Sequence, residues 1–190
     1  EPLERIEGGA FSFVAPGAAL NEVEKICEDI DAFATITLGQ RHILFEMGET
    51  ELICRRLEGD FLDYKNAIPR RNPISVIVDT KAMLESLDRV SVVISEKLKS
   101  PARCIFEQNR VLLSAKTANG DAKDVCRIDG DGQGLEIGFN NRYLMDALRF
   151  APADELKLEL NTGISPAILV PTDGEESFLY MVLPVRLKAQ

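Results

Sequence analysis

Apolar residues along this chain change their spacing in a fixed order, and the order recurs. In "AFSFVAPGAALNEVEKICEDIDAFATITLGQRHILFEMGETELICRRL" a short apolar strand leads into a helix with Leu20, Val23, Ile26 and Cys27 at helical spacing. Three strands follow, separated by turn signals at Gly39 with Gln40 and at Gly48. "PISVIVDTKAMLESLDRVSVVIS", then "ARCIFEQNRVLLSAK" and "AKDVCRIDG", repeat the order. Asp79 or Thr80 is placed to cap this second helix, whose apolar positions include Met83, Leu84, Leu87 and Val90. The third pass runs from Leu135 to Phe139 through an Asn140 cap into Tyr143, Leu144, Ala147, Leu148 and Phe150. "ELKLEL" then alternates as a half-buried strand, and "AILVP" and "FLYMVLPVRL" close the pass. The glycine-rich "DGDGQG" at 129–134 joins two strands and does not open a helix, so it predicts a hairpin.

A unit of strand, helix and three strands predicts an α+β fold, with antiparallel sheets and the helices gathered on one face. Three units are an odd number. If two units close a domain, residues 73–187 make one, and residues 10–57 are half of another whose partner is absent. A lone half exposes unpaired sheet edges. The first residue, Glu1, is not methionine, and the expectation is a C-terminal piece of a longer protein.

Composition narrows the chemistry. The 190 residues are 45% hydrophobic and 28% charged, within the range of a globular protein with a real core. No apolar run reaches the roughly 18 to 20 residues that span a bilayer, and "EPLERIEGG" has no signal-peptide pattern, so no membrane role and a cytoplasmic location are expected. Cys27, Cys54, Cys104 and Cys126 are far apart in apolar segments and read as buried reduced thiols. His42 is the only histidine and sits in strand-like "RHILFE", so neither a zinc site nor a nucleophile with its base is expected. The acidic stretches "GDAKD" and "DGEES" lack EF-hand spacing and read as solvated loops. No catalytic residue, metal or cofactor is expected. A net charge of −9 argues against gripping nucleic acid with a broad basic surface, though not against holding it by shape.

"RRLEGDFLDYKNAIP" at 55–69, "IGFNNRYLMDAL" at 137–148 and "YMVLPVRL" at 180–187 occur in this order, with the repeated unit between them. Together they resemble the signature segments of the bacterial sliding clamp, the beta subunit of DNA polymerase III. The resemblance implies the DNA clamp fold. Residues 1–72 would be the second half of the clamp's middle domain, and 73–190 its complete C-terminal domain. It further implies a processivity factor without catalytic activity. Such a factor encircles duplex DNA topologically as a head-to-tail homodimeric ring when full length, with its helices lining the hole.

Residue by residue, the resemblance implies three surfaces. Lys81, Arg89, Arg142 and Arg149, on or near the helices, would face DNA. Val92 and Val93, with Asp121 and Asp124 from the acidic loop, would form the dimer edge. A hydrophobic groove would dock short linear peptides of the replicative polymerase, the clamp loader and repair proteins. Its residues would be Leu62, Asn66 and Ala67 from "FLDYKNA", Leu98, and Asn140 and Tyr143 from "FNNRY". Ile164 and Pro166 come from "GISPA", and the terminal run adds Met181, Val182, Leu183, Pro184, Val185, Arg186 and Leu187.

Leu62 departs from the family's "FPDY", and Lys188, Ala189 and Gln190 extend past its usual Arg-Leu end. Lacking the first domain, the chain is expected not to close a ring. The competing reading is a small acidic metal-dependent enzyme. "FLYMVLPVRL" is read as a ladder strand over Phe178 to Met181, after which Pro184, which has no N–H to donate, ends the pairing and frees the tail to line the groove.

Overall fold

The computed structural model describes residues 12–28, 34–94, 100–118, 120–174 and 177–187, the side chain of Glu28 excepted. Leu98 lies outside the described residues. The chain divides into two compact units, Glu1–Asp63 and Tyr64–Gln190. Among the described residues no helix is long and apolar enough to cross a membrane.

The first unit holds helix α1 (Gly17–Glu28) and strands β1 (Ala34–Leu38), β2 (His42–Met47) and β3 (Thr50–Arg55), paired antiparallel in the order β1-β2-β3. A bridge from Val14 to Leu57 continues the sheet beyond β3. Alternation buries Ile43, Phe45 and Met47 of β2, and Val23 and Ile26 of α1 pack on them. Leu20 and Cys27 do not join this core: both are exposed, although Cys27 Sγ approaches Met47 Sδ to 3.6 Å. The expectation that all four thiols are buried holds for Cys104 and Cys126, while Cys54 is half-buried. Complete burial raises the Cys104 thiol pKa to about 12.

The second unit opens with the single turn α2 (Tyr64–Ala67) and continues through β4 (Ile74–Asp79) and α3 (Thr80–Ser91). Two long strands follow, β5 (Ala102–Thr117) and β6 (Gly120–Phe139), then α4 (Asn141–Phe150), β7 (Glu155–Leu160), β8 (Ala167–Pro171), β9 (Tyr180–Val182) and β10 (Pro184–Val185). Both larger helices begin at side-chain caps. The Asp79 carboxylate accepts from the Ala82 N–H at 2.6 Å, and the Asn140 carbonyl accepts from the Arg142 N–H at 3.1 Å.

Strand pairing shows why two repeats are needed. β4 pairs along its length with β7, from Ile74↔Leu160 to Asp79↔Glu155, and at its end with β6 through Ile77↔Asp129 and Val78↔Ile128. The matching strand of the next repeat, residues 135–139 within β6, pairs with the start of β5, from Phe106↔Leu135 to Ala102↔Phe139. Its end pairs with β10 through Phe139↔Pro184 and Gly138↔Val185. The first strand of each repeat thus bonds the second strand of the other repeat and the last strand of its own. Met83, Leu87 and Val90 of α3 and Leu144, Ala147 and Leu148 of α4 are buried in one core with strands of both repeats, so neither repeat closes its core alone.

Two expectations are corrected here. Residues 129–134 do not form a hairpin: β6 runs straight through them and keeps β5 as partner on both sides, with register shifts between Phe106, Gln108 and Arg110. Positive φ at Asn109, Gly130, Gln133 and Gly134 turns both strands together at this bulged corner. At the other end of the unit, Pro184 does not release the chain. β9 pairs with β8 through Ala167↔Val182 to Leu169↔Tyr180, and after Leu183 the chain moves to β6 as β10. A proline at the first position of a strand gives up one bond without ending the ladder.

Candidate functional site

α4 and the terminal strands enclose a cavity of about 460 Å³. Asn140 and Tyr143 stand at one end of its helical wall and Phe150 at the other, with Asp146 and Ala147 between them. Residues 143, 146, 147 and 150 are three, four and seven positions apart, which places them on one helix face. Opposite them run Tyr180 to Val185, the segment that passes from β8 to β6.

The walls are apolar and uncovered. Tyr143 is 62% exposed, Phe150 74% and Leu183 62%, whereas Leu144 and Leu148 on the other side of α4 are buried. Large apolar side chains exposed together around a concavity mark a surface suited to a partner. The frame behind them is fixed. Tyr180 donates its hydroxyl to the Phe150 carbonyl at 2.7 Å, and its ring lies 5.6 Å from that of Phe178. Gly138 lets β10 and the tail approach, since a Cβ there would lie 2.7 Å from the Val185 carbonyl oxygen and 2.6 Å from Leu187 Cδ2.

Of the residues named from sequence for the groove, Asn140, Tyr143, Met181, Val182, Leu183, Pro184 and Val185 line this cavity. Leu62 belongs to the first unit and is exposed; Asn66 and Ala67 are exposed on α2. Ile164 is exposed and Pro166 half-buried in the β7–β8 connection, while Arg186 is exposed beyond β10 and Leu187 rests against Gly138. Sequence reasoning missed Asp146, Ala147, Phe150 and Tyr180. Their helical spacing with Tyr143 was visible, but spacing does not say whether an apolar stripe meets core or solvent.

The cations on α3 and α4 differ in how they are held. Lys81 is exposed on the first turn of α3. Arg142 and Arg149 flank Asp146 at 3.8 and 3.5 Å. Arg89 is braced: its Nε and a terminal nitrogen both reach an Asp124 oxygen at 2.8 Å, and it also donates to Ser86 Oγ at 3.0 Å. Asp124 and Asp121 lie in strand β6, where the sequence reading had a loop. Val92 is exposed just past α3, and Val93 lies 4.0 Å from where a Cβ on Gly120 would stand, at the β5–β6 turn.

Burial by itself would raise the Asp124 pKa, but the Val125 N–H, the Ser86 hydroxyl and the Arg89 guanidinium outweigh it and hold the carboxyl below its ordinary value. A depressed carboxyl stabilises the fold at pH values above the unfolded pKa of about 3.9, and that stability is lost as pH falls through the lower folded value. Asp124→Asn is therefore expected to lower stability at neutral pH and flatten its loss below about pH 4, as read from denaturation midpoints across pH. An unchanged profile would mean that the brace is not felt.

Among the described residues no group of three or more His, Cys, Asp or Glu side chains is placed to hold a metal ion. Comparison with known proteins gives one family. Residues 65–186 match the family described as DNA polymerase III beta subunit, C-terminal domain. The beta sliding clamp of Synechocystis sp. is 30% identical over 187 residues, covering 93% of this chain and 46% of the relative. That of Staphylococcus aureus is 31% identical over 175 residues, covering 91% and 46%. The chain spans about half the length of these curated relatives. Among solved structures, a sliding clamp from Bartonella birtlesii bound to griselimycin superposes with a TM-score of 0.80 at 28% identity, over 92% of this chain and 47% of that one. The DNA polymerase III subunit beta from Pseudomonas aeruginosa superposes with a TM-score of 0.80 at 26% identity, over 92% and 48%. The paired repeats, the terminal strand exchange and these likenesses agree, and the chain belongs to the DNA polymerase III beta subunit family, the beta sliding clamps.

Proposed function

We propose that this chain is the C-terminal part of a sliding clamp, a non-catalytic processivity factor acting in the cytoplasm. Residues 1–72 form the second half of a middle domain and 73–190 a complete C-terminal domain. The whole protein encircles duplex DNA as a head-to-tail dimer, and Val92, Val93, Asp121 and Asp124 form one side of its joint. The cavity between α4 and Tyr180–Val185 docks short peptides of the polymerase, the clamp loader and repair proteins. Asn66, Ala67, Ile164, Pro166, Arg186 and Leu187 extend that groove.

The carrying observation is the exposed apolar cavity itself, with Tyr143, Phe150 and Leu183 uncovered on a rigid frame. DNA contact is weaker by design. Arg89, Arg142 and Arg149 are each partnered by a carboxylate, which leaves Lys81 as the cation on α3 and α4 with no ion pair among the described residues. A ring that holds DNA by topology needs no more than this. Titration with a labelled peptide rich in leucine and phenylalanine tests the docking role. Saturable binding is expected, with NMR shifts at Tyr143 and Leu183 and none at Val92. Absence of saturation, or shifts confined to the Val92 edge, would refute the groove assignment.

A further inference from the structure

The first unit carries a second pocket of a different character, about 420 Å³ in volume and lined by Arg41, Arg55 and Arg56 together with Ser12, Gln40 and Phe61. Two acids, Glu58 and Asp60, share it. In a chain of net charge −9, two arginines on the same face of one concavity require a reason.

Strand geometry sharpens the question. The β2–β3 register pairs His42 with Arg55, and the Arg56 N–H donates to the Arg41 carbonyl at 2.9 Å, so Arg41 and Arg56 stand directly opposite each other. Pleating puts Arg41 on the same face as buried Ile43, and Arg56 on the same face as Cys54, which packs on that core. Two like charges therefore occupy facing positions at the end of an inward apolar stripe, an arrangement that destabilises a sheet unless something compensates it. The compensation within the unit is small. Arg55 pairs with Glu58 at 3.5 Å across largely exposed side chains. Arg56 donates to the Gly39 carbonyl at 3.3 Å, which orients its guanidinium without neutralising it. Among the described residues, Arg41 has neither an ion pair nor a side-chain hydrogen bond.

We propose that this pocket binds a phosphate group, held between the guanidiniums of Arg41 and Arg56. Paired planar forks suit a tetrahedral oxyanion better than a single point charge does. The phosphate comes either from a single nucleic acid strand, with Phe61 beside it as a surface for a base, or from free inorganic phosphate.

Arginine Nε NMR signals, followed during titration with inorganic phosphate and separately with a short thymidine oligonucleotide, test it. Saturable shifts at Arg41 and Arg56 are expected. Because the Arg41 side chain has no partner among the described residues, Arg41→Ala should keep the fold and weaken binding about tenfold, as loss of a charge-assisted bond does. Asp60→Asn removes a repelling carboxylate and should tighten binding severalfold. An oligonucleotide binding well above inorganic phosphate, and displaced by it, identifies a strand as the source; equal affinities identify free phosphate. No saturable shift with either probe, or affinity unchanged in Arg41→Ala, would overturn the proposal.

Discussion

Leu183→Asp is expected to abolish measurable docking of a leucine- and phenylalanine-containing peptide while the unit stays folded. Leu183 is 62% exposed, so the folded chain loses little when its side chain becomes polar. In the complex the position is central. It lies between β9 and β10, where the chain changes partner, and faces Tyr143 and Phe150 across the cavity. Truncating a buried anchor of this kind costs about 2 kcal/mol or more, a loss of roughly 30-fold in affinity. A carboxylate desolvated by the peptide adds to that cost. Isothermal titration of wild type and variant, with circular dichroism to establish folding, gives the comparison. Equal affinity in a folded variant would remove the terminal strand from the docking surface.

Phe139→Ala should produce the largest loss of stability, about 3 to 5 kcal/mol for a fully buried phenylalanine. The position is where the two repeats interlock. Phe139 is opposite Ala102 of the other repeat on one side and Pro184 of its own repeat on the other, and its side chain is in the common core. Deleting the ring therefore opens a cavity under strands of both repeats, beside the strand that forms the groove wall. Denaturant titration is expected to show one transition at a lower midpoint, with peptide affinity reduced in the same variant. A loss below about 1 kcal/mol would mean that the halves are held elsewhere.

Local chemistry was largely legible. Alternation in "ELKLEL" buries Leu156, Leu158 and Leu160, and Asp79 and Asn140 cap the helices they precede. These features depend on neighbours two or three residues away, which the sequence displays directly. The failures share a cause. Residues 129–134 look like a hairpin because glycines permit a reversal, yet β5 continues as partner and the pair turns a corner together. Leu20 and Cys27 look like core because they share a helical stripe, yet both side chains are exposed in the folded unit. The brace on Arg89 was not legible either, because Asp124 lies 35 residues away in sequence, whereas Asp146 is within a turn of Arg142 and Arg149.

The sequence by itself determined the repeat, the α+β class, the helix caps and the apolar composition of the terminal run, since each follows from spacing and residue type within a short window. The tertiary structure alone decided that the first strand of each repeat pairs with the other repeat, and that "FLYMVLPVRL" crosses from β8 to β6 instead of leaving the sheet. It also decided that Tyr143 and Phe150 face solvent across a cavity. Strand partnership and exposure are properties of what surrounds a residue, and distant segments of the chain supply those surroundings only once it has folded.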